Sequence, residues 1–323
     1  MSRYLLRRIL QSIPVLIGIT IITFTFMELA PGDAVSGLLM GAEGSAGDID
    51  TEALRAKYGL DQPAPVRYVR WLGELLQGNL GTRILSGQPV AQEIGYRLPA
   101  TLQLMFVAIV LAVVIGMPLG IYSALRQYSL ADYTLTGFVF MGISIPGFFA
   151  AIAAVYVFAV QLGWFPTSGY STPGQVFGPV GRVLDILYHM ALPALVLAIE
   201  SCASIMRYTR ASMLDVIRQD YMTTARSKGL PPFLVTTRHA LRNALLPVIT
   251  IIGLRLPSLF GGAIVIETIF NWPGMGRLYL DGVTTRDIPL VMSMVLISAL
   301  VIVVSNLITD LTYAIADPRV RYE

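Results

Sequence analysis

The sequence predicts an all-α integral membrane protein with six transmembrane helices and a small polar cap between the first two. Two observations carry that expectation. Hydrophobic residues make up 55% of the 323 residues and charged ones only 13%, against roughly 25% charged in an ordinary soluble domain. The apolar residues also fall in long, nearly uncharged blocks, each near the length of about 20 residues that a helix needs to cross a bilayer. A soluble chain this apolar could not cover its surface. Each span must be helical, because lipid offers no partner to a backbone amide.

The predicted spans are residues 9–29, 101–124, 133–162, 188–206, 245–270 and 289–316. The first block follows basic residues (Arg3, Arg7, Arg8), as a signal peptide would. Its uncharged run, however, exceeds the apolar core of about 7–15 residues that such peptides carry, and no small-x-small cleavage pattern follows it directly. A retained helix is expected. The third run is interrupted by Ser144-Ile145-Pro146-Gly147 and reads as one tilted helix kinked at the proline, in preference to two half-helices.

Basic residues near span ends set the orientation. With the N-terminus inside, the inner pieces 1–8, 125–132, 207–244 and 317–323 hold 13 of the 23 Lys and Arg residues. The outer pieces hold nine, six of them in the long first loop, which crosses a membrane largely regardless of its charge. Both termini are therefore expected on the cytoplasmic side of the membrane. The formal charge of +3 is too small to suggest nucleic acid, and the single Cys202 rules out an intrachain disulfide.

Two hydrophilic segments stand out, and with the spans they divide the chain. Residues 1–30 form the basic start and first span, 31–99 the outer cap, 100–316 the permeating core with its inner loop 207–244, and 317–323 a tail. In the cap, 51–58 reads as a short capped helix. Residues 66–76 read as an amphipathic one with Val69, Leu72 and Leu76 resting on the membrane core. The inner loop reads as a helix over 211–228, a stop at Gly229-Leu230-Pro231-Pro232, and a second helix from Phe233. An Arg-rich helix–turn–helix suits a docking surface, and it equally suits a positive-inside anchor. Charge alone does not separate the two.

The loop's residues do. Tyr221-Met-Thr-Thr-Ala225-Arg-Ser-Lys-Gly229-Leu, then His239-Ala-Leu-Arg-Asn-Ala-Leu-Leu-Pro247, resembles the EAA loop of permeases in ATP-binding-cassette importers. The gap from Gly229 to Pro247 matches the branch importing peptides and nickel. Thr223 and Thr224 replace the general motif's Glu and Ala, a departure common in that branch. Further matches run through Tyr4-Leu-Leu-Arg-Arg-Ile, Ala30-Pro-Gly-Asp33, Tyr58-Gly-Leu-Asp-Gln-Pro, Gly78-Asn-Leu-Gly-Thr82, Arg97-Leu-Pro-Ala-Thr101, Glu267-Thr-Ile-Phe-Asn-Trp-Pro-Gly-Met-Gly276 and Asp317-Pro-Arg319. Each is weak alone, but their order and spacing are specific. Together they resemble the first of the two permeases in dipeptide and oligopeptide systems.

The resemblance implies a type I importer permease that pairs with a second permease, two cytoplasmic ATPases and a periplasmic solute-binding protein. ATP and Mg would lie on the ATPases, and this chain would hold no cofactor and catalyse nothing. A coupling helix over 220–229 would enter the ATPase. There Tyr221 and Ala225 would pack, Asp220, Thr224, Arg226 and Lys228 would offer polar contacts, and Gly229 would give the sharp exit. The branch also takes up nickel, opines and some oligosaccharides, with peptides the commonest case.

Charges inside spans are functional candidates by default. Counted at about 1.5 Å per residue, Glu200 lies roughly 9–12 Å and Arg255 roughly 15 Å from the inner ends of their predicted spans, so antiparallel neighbours could bring them together. The resemblance puts uncharged residues there, often Gln at the second. Arg255 could face the translocation path and draw an anionic group of the solute, or the two could simply neutralise each other. Glu267 and Asp310, near span ends, read as interfacial anchors or helix-end contacts in preference to path residues. His189 and His239 lack neighbours at ligand spacing, so no metal site is expected. Gly261-Gly262 permits close helix approach.

Other classes find little support. Neither Lys57 nor Lys228 follows the glycine of a phosphate-binding loop, so the energy must come from another polypeptide. No His-Glu-x-x-His or Gly-x-Ser-x-Gly pattern occurs. An ion-driven transporter using Glu200 is the strongest rival, with a structural anchor for a receptor complex second.

Overall fold

The computed structural model describes residues 2–30, 55, 59–84 and 86–316. The expected helix over 51–58 and the tail 317–323 lie outside these residues. Among the described residues every regular element is helical, and Thr82 and Pro89 form an isolated β-bridge. Four helices are long and apolar enough to cross a membrane: α1 (Ser2–Leu29), α3 (Val90–Leu125), α6 (Pro179–Ile217) and α10 (Ile288–Ala316). The cap helix between the first two is α2 (Ala64–Leu76). A bent pair, α4 (Leu130–Ser144) with α5 (Gly147–Ala154) and its π-helical extension Val155–Gln161, supplies a fifth span if counted as one. The remaining predicted span, 245–270, is α8 (Arg242–Ile269), whose 28 residues reach about 42 Å, beyond the ~30 Å hydrocarbon core. Large apolar side chains such as Phe106, Val114, Phe138 and Phe140 stand more than half exposed along these helices. Lipid accommodates that surface and water does not.

The third run corrects the expectation of a single kinked helix: α4 and α5 meet at 102°. Ile145, before the proline, is extended (φ −87°, ψ 121°), and Pro146 follows with ψ 135°. Steric pressure from a proline ring pushes its predecessor out of the α region. With two successive residues non-helical, the chain turns a corner.

The chain divides into two compact units. The first comprises Met1–Thr101 and Pro273–Val303. In it α2 lies against α1. The Arg67 guanidinium pairs with Glu28 and sits over the Phe24 ring, while Tyr68 meets Phe24 edge-on and shares a 3.0 Å hydrogen bond with Thr20. The face expected to be buried is instead outward, since Val69 and Leu76 are exposed. The aromatic and Arg residues one position away do the packing. They combine apolar stems with polar tips that find partners on α1.

Beyond α2, Arg83 is buried between α9 (Met275–Thr284) and the start of α10. It donates to Asp281 at 2.5 Å and lies 3.5 Å from Asp287. Asp287 is fully buried and accepts from the amides of Ile84 (3.1 Å) and Leu290 (3.3 Å). Burial pushes the Asp287 carboxyl above the ordinary carboxylate range, against the opposing pull of those amides and of Arg83. For Arg83 burial pulls the other way but is outweighed by Asp281, so its charge is held firmly. Removing that cation in Arg83→Gln raises the Asp287 carboxyl further. A raised folded-state pKa contributes stability that is present at acid pH and lost as pH climbs through it. The variant should therefore lose melting temperature, relative to the parent, more at pH 7.5 than at pH 5. An equal loss at both would mean that Arg83 acts through packing.

The second unit comprises Leu102–Trp272 and Val304–Glu323. Its centre is α6, against which α4 and α8 pack. At 39 residues, α6 is about 58 Å long and must project well beyond the bilayer. Two glycines of α3 bring backbones together. A Cβ on Gly116 would lie 2.7 Å from the Cys202 carbonyl oxygen, and one on Gly120 would lie 2.6 Å from that of Met206.

Candidate functional site

The inner loop begins differently from expectation. The predicted helix over 211–228 is not one helix: α6 itself runs through to Ile217, and a separate eight-residue helix, α7 (Asp220–Ser227), follows a turn at Arg218-Gln219. Asp220 stands in its first turn and Arg226 in its last, the arrangement that a helix dipole favours. Thr224 donates its hydroxyl to the Asp220 carbonyl, and the amide of Gly229 closes onto Arg226 at 3.0 Å. Gly229 has φ +71°, a left-handed conformation that a side chain resists. Pro231 then sets an extended residue before the single turn Pro232–Leu234 and the π-helical Val235–Leu241 that feeds α8.

α7 is seated by two side chains. Met222 and Ala225, three apart and on one face, are 1% and 5% exposed. They pack against Ala124, Met213, Val235, Ala240 and Ala244. Ala225, expected as a packing contact, packs into this seat. Tyr221 is exposed, its hydroxyl accepting from the Asn243 side chain at 3.1 Å. Asp220, Thr224, Arg226, Lys228 and Gly229 are also exposed. The result is a short rigid rod with an apolar underside and a polar outer face.

The seat is tied to the helices above it by a cluster that sequence reading missed. Asp132 is 2% exposed. It takes a two-pronged contact from Arg210, Nε to Oδ1 at 2.8 Å and Nη2 to Oδ2 at 2.7 Å. The Ser123 hydroxyl and the Tyr128 amide also donate to it. Ser129 caps α4 by accepting from the Asp132 amide. Ser129-x-x-Asp132 is a readable capping pattern, but nothing in it names Arg210. The cluster joins the ends of α3, α4 and α6, one helical turn from Met213 of the seat.

Glu200 and Arg255 do meet. Arg255 Nη1 donates to Glu200 at 2.8 Å and Nη2 to the Ser204 hydroxyl at 2.5 Å. Arg255 sits midway along α8. Glu200 lies 17 residues, roughly 26 Å, from the end of α6, which runs past the inner end of the predicted span. The pair borders a cavity of about 540 Å³, whose other wall is the corner between α4 and α5, with Gly142, Ile145, Gly147 and Phe148.

Glu267 is not an interfacial anchor. It is fully buried, because the chain after α8 turns back over it: the Trp272 amide donates to the Glu267 carbonyl at 2.8 Å, with Phe270 and Trp272 both buried. His189 is buried within α6, its Nδ1 2.9 Å from the Asp185 carbonyl. No group able to hold a metal occurs among the described residues. The side chains of Gly261 and Gly262's surroundings lie outside the described residues.

Several helices long and apolar enough to cross a membrane, with a Glu200–Arg255 pair beside the α4–α5 corner, define a multi-pass membrane component. The chain belongs to the family of binding-protein-dependent transport system inner membrane components, whose model matches residues 116–322, while the model for the N-terminal part of that family matches residues 1–105. It is 48% identical to the oligopeptide transport system permease protein AppB of Bacillus subtilis, with all of both chains covered. It is 44% identical to a putative peptide permease protein of Brucella ovis, over 99% of each. Identity to the dipeptide transport system permease protein DppB of Alkalihalophilus pseudofirmus is 38%, again over the whole of both. Among solved structures, the MetNI methionine ABC transporter in inward-facing conformations is similar in fold. It has a TM-score of 0.58 and 15% identity, covering 70% of this chain and 97% of that one.

Proposed function

We propose that this chain is one of two permeases lining the path of a peptide importer. Peptides are the solute because the relatives alike over their full length carry peptide, dipeptide and oligopeptide names. A periplasmic binding protein delivers the solute, and two ATPases bound on the cytoplasmic side supply the energy. The chain places both termini and α7 in the cytoplasm, the arrangement favoured by its basic residues. It is a transport component and hydrolyses nothing.

The observation that carries this reading is the construction of α7. A solvated loop would have no reason to bury Met222 and Ala225 while presenting Tyr221, Thr224, Arg226 and Lys228 outward. A helix of two turns fixed on an apolar seat transmits displacement as a rigid body. Driven by an ATPase closing on ATP, it would move the seat, and with it the ends of α3, α6 and α8.

The test is ATP hydrolysis by the complete complex in lipid nanodiscs, with binding protein and a mixture of short peptides, beside Gly229→Val. A β-branched residue at a positive φ is strained by about 1–3 kcal/mol, enough to tilt α7 without unfolding the spans. Loaded binding protein should stimulate the parent, and the variant should lose at least about tenfold of that stimulation, equivalent to about 1.4 kcal/mol. Undiminished stimulation in the variant would count against α7 as the coupling element. Uptake that follows a proton gradient with no ATPase bound would overturn the importer reading itself.

A further inference from the structure

We infer that the cavity at the α4–α5 corner is a cation-selective waypoint of the path, in which the Glu200 carboxylate receives an ammonium group of the passing solute. The inference rests on the proposed reading of this chain as lining a solute path and goes beyond it in assigning Glu200 to that path and fixing the sign of the charge recognised.

Two independent features place water in this cavity. The first is the corner itself. Ile145 and Pro146 are non-helical, and irregular backbone at membrane depth is tolerated only where protein buries it or a water-filled space hydrates it. Ile145, Gly147 and Phe148 line the cavity, so the space is there. The second is Glu200, whose side chain is 67% exposed midway along a spanning helix. Lipid would charge several kcal/mol for an ionised carboxylate so placed. Asp132 and Arg210 bring the two features level. From that contact Ile145 is 13 residues along α4 and Glu200 is 10 residues back along α6, about 20 Å and about 15 Å respectively.

The sign follows from how the pair shares its bonds. Arg255 is only 24% exposed, with one nitrogen on Glu200 and another on Ser204. Both residues line the cavity, but Glu200 gives a single oxygen to Arg255 and is much the more exposed of the two, 67% against 24%. Arg255 thus keeps the carboxylate ionised and aimed, while the charge a solute meets is negative. Of the two sequence readings, one was the reverse, an Arg drawing an anion, and the other was mutual neutralisation. A free peptide N-terminus supplies an ammonium of the required kind, and the apolar Ile145 and Phe148 offer room for a neighbouring side chain. The volume falls within the range of about 300–1,000 Å³ usual for small-molecule sites.

A reporter thiol tests this without needing the solute. Phe148→Cys, in a Cys202→Ser background and in the complete complex, is exposed to a cationic and to an anionic thiosulfonate reagent of equal size. Rates are measured in the resting and in the vanadate-trapped state. In at least one state the cationic reagent should react about tenfold faster, the ratio expected for one unit charge within several ångströms in a hydrated site. Adding Glu200→Gln should abolish or reverse the preference, because the carboxylate is removed while the Arg255 guanidinium still lines the cavity. The parent ratio alone decides the matter if that second variant fails to assemble. Reaction without charge preference, or faster with the anion, overturns the ammonium assignment and leaves the path in place. No reaction with either reagent in either state means that lipid or the sister permease covers the cavity, and the path reading falls as well.

Discussion

Alanine at Gly116 or at Gly120 should destabilise the protein by about 1–3 kcal/mol, and valine at either should prevent its accumulation in the membrane. Membrane helices gain nothing from hiding apolar surface from lipid. They associate by close van der Waals packing, which small residues four apart permit. Here α3 approaches α6 so closely that an added Cβ would fall 2.7 Å from the Cys202 carbonyl oxygen at Gly116. At Gly120 it would fall 2.6 Å from the Met206 oxygen and 2.8 Å from the Thr209 side chain. The obstacle is backbone, so no change of rotamer relieves it and the helices must separate. Separation at Gly120 would also disturb Arg210, whose amide nitrogen lies 3.2 Å from the same point. Melting temperatures of the purified complex, with expression levels, measure the effect. Gly137 on α4, with nothing within 4 Å, is the control and should tolerate alanine. If Gly116→Ala and Gly137→Ala melt alike, the tight α3–α6 contact is not a determinant of stability.

What the sequence made legible depended on the length scale of the signal. Six apolar blocks are long enough for composition to announce them, and the resemblance located the inner loop to within a few residues of α7. The depth of Glu200 and Arg255 was enough to suggest that they meet. Short-range geometry was harder to read. Ser144-Ile145-Pro146-Gly147 is compatible with a kink or a corner, and the difference lies in whether ψ of Ile145 is helical or extended. Neighbouring residues bias that angle, but the packing around it decides it. An eight-residue helix holds too few turns for periodicity to show which face is inward, so nothing marked Met222 as the partner that shares the seat with Ala225. Glu267 looked accessible because it lies near the end of its span. Its burial goes with the fold of the next few residues, where the Trp272 amide returns to the Glu267 carbonyl. Gly116-x-x-x-Gly120 was visible throughout as a small-residue pair in an apolar run, a cue that the Gly261-Gly262 pair drew attention from.

The second large effect is expected at Asp132. Asp132→Ala should cost about 3–5 kcal/mol, because it strands the Arg210 guanidinium and leaves the Ser123 hydroxyl and Tyr128 amide without their acceptor. Arg210 is 28% exposed, so water can reach it and the loss should sit near the lower end of that range. Replacing both charges with apolar residues of similar size, Asp132→Leu with Arg210→Met, should recover much of the stability, since a buried ion pair mostly repays its own desolvation. Coupling should not recover with it. The bidentate contact fixes the end of α6 against the start of α4, and Met213, one turn on, carries the seat of α7. An apolar pair would hold those ends together without fixing their register. The double variant should therefore melt near the parent yet show ATP hydrolysis that responds weakly to loaded binding protein. Exchanging the two residues should rescue neither property, because the Ser123 hydroxyl and Tyr128 amide that now donate to a carboxylate would face a guanidinium. Full coupling in the apolar double variant would show that contact between the ends suffices, and that the directional bonds of Arg210 add only stability.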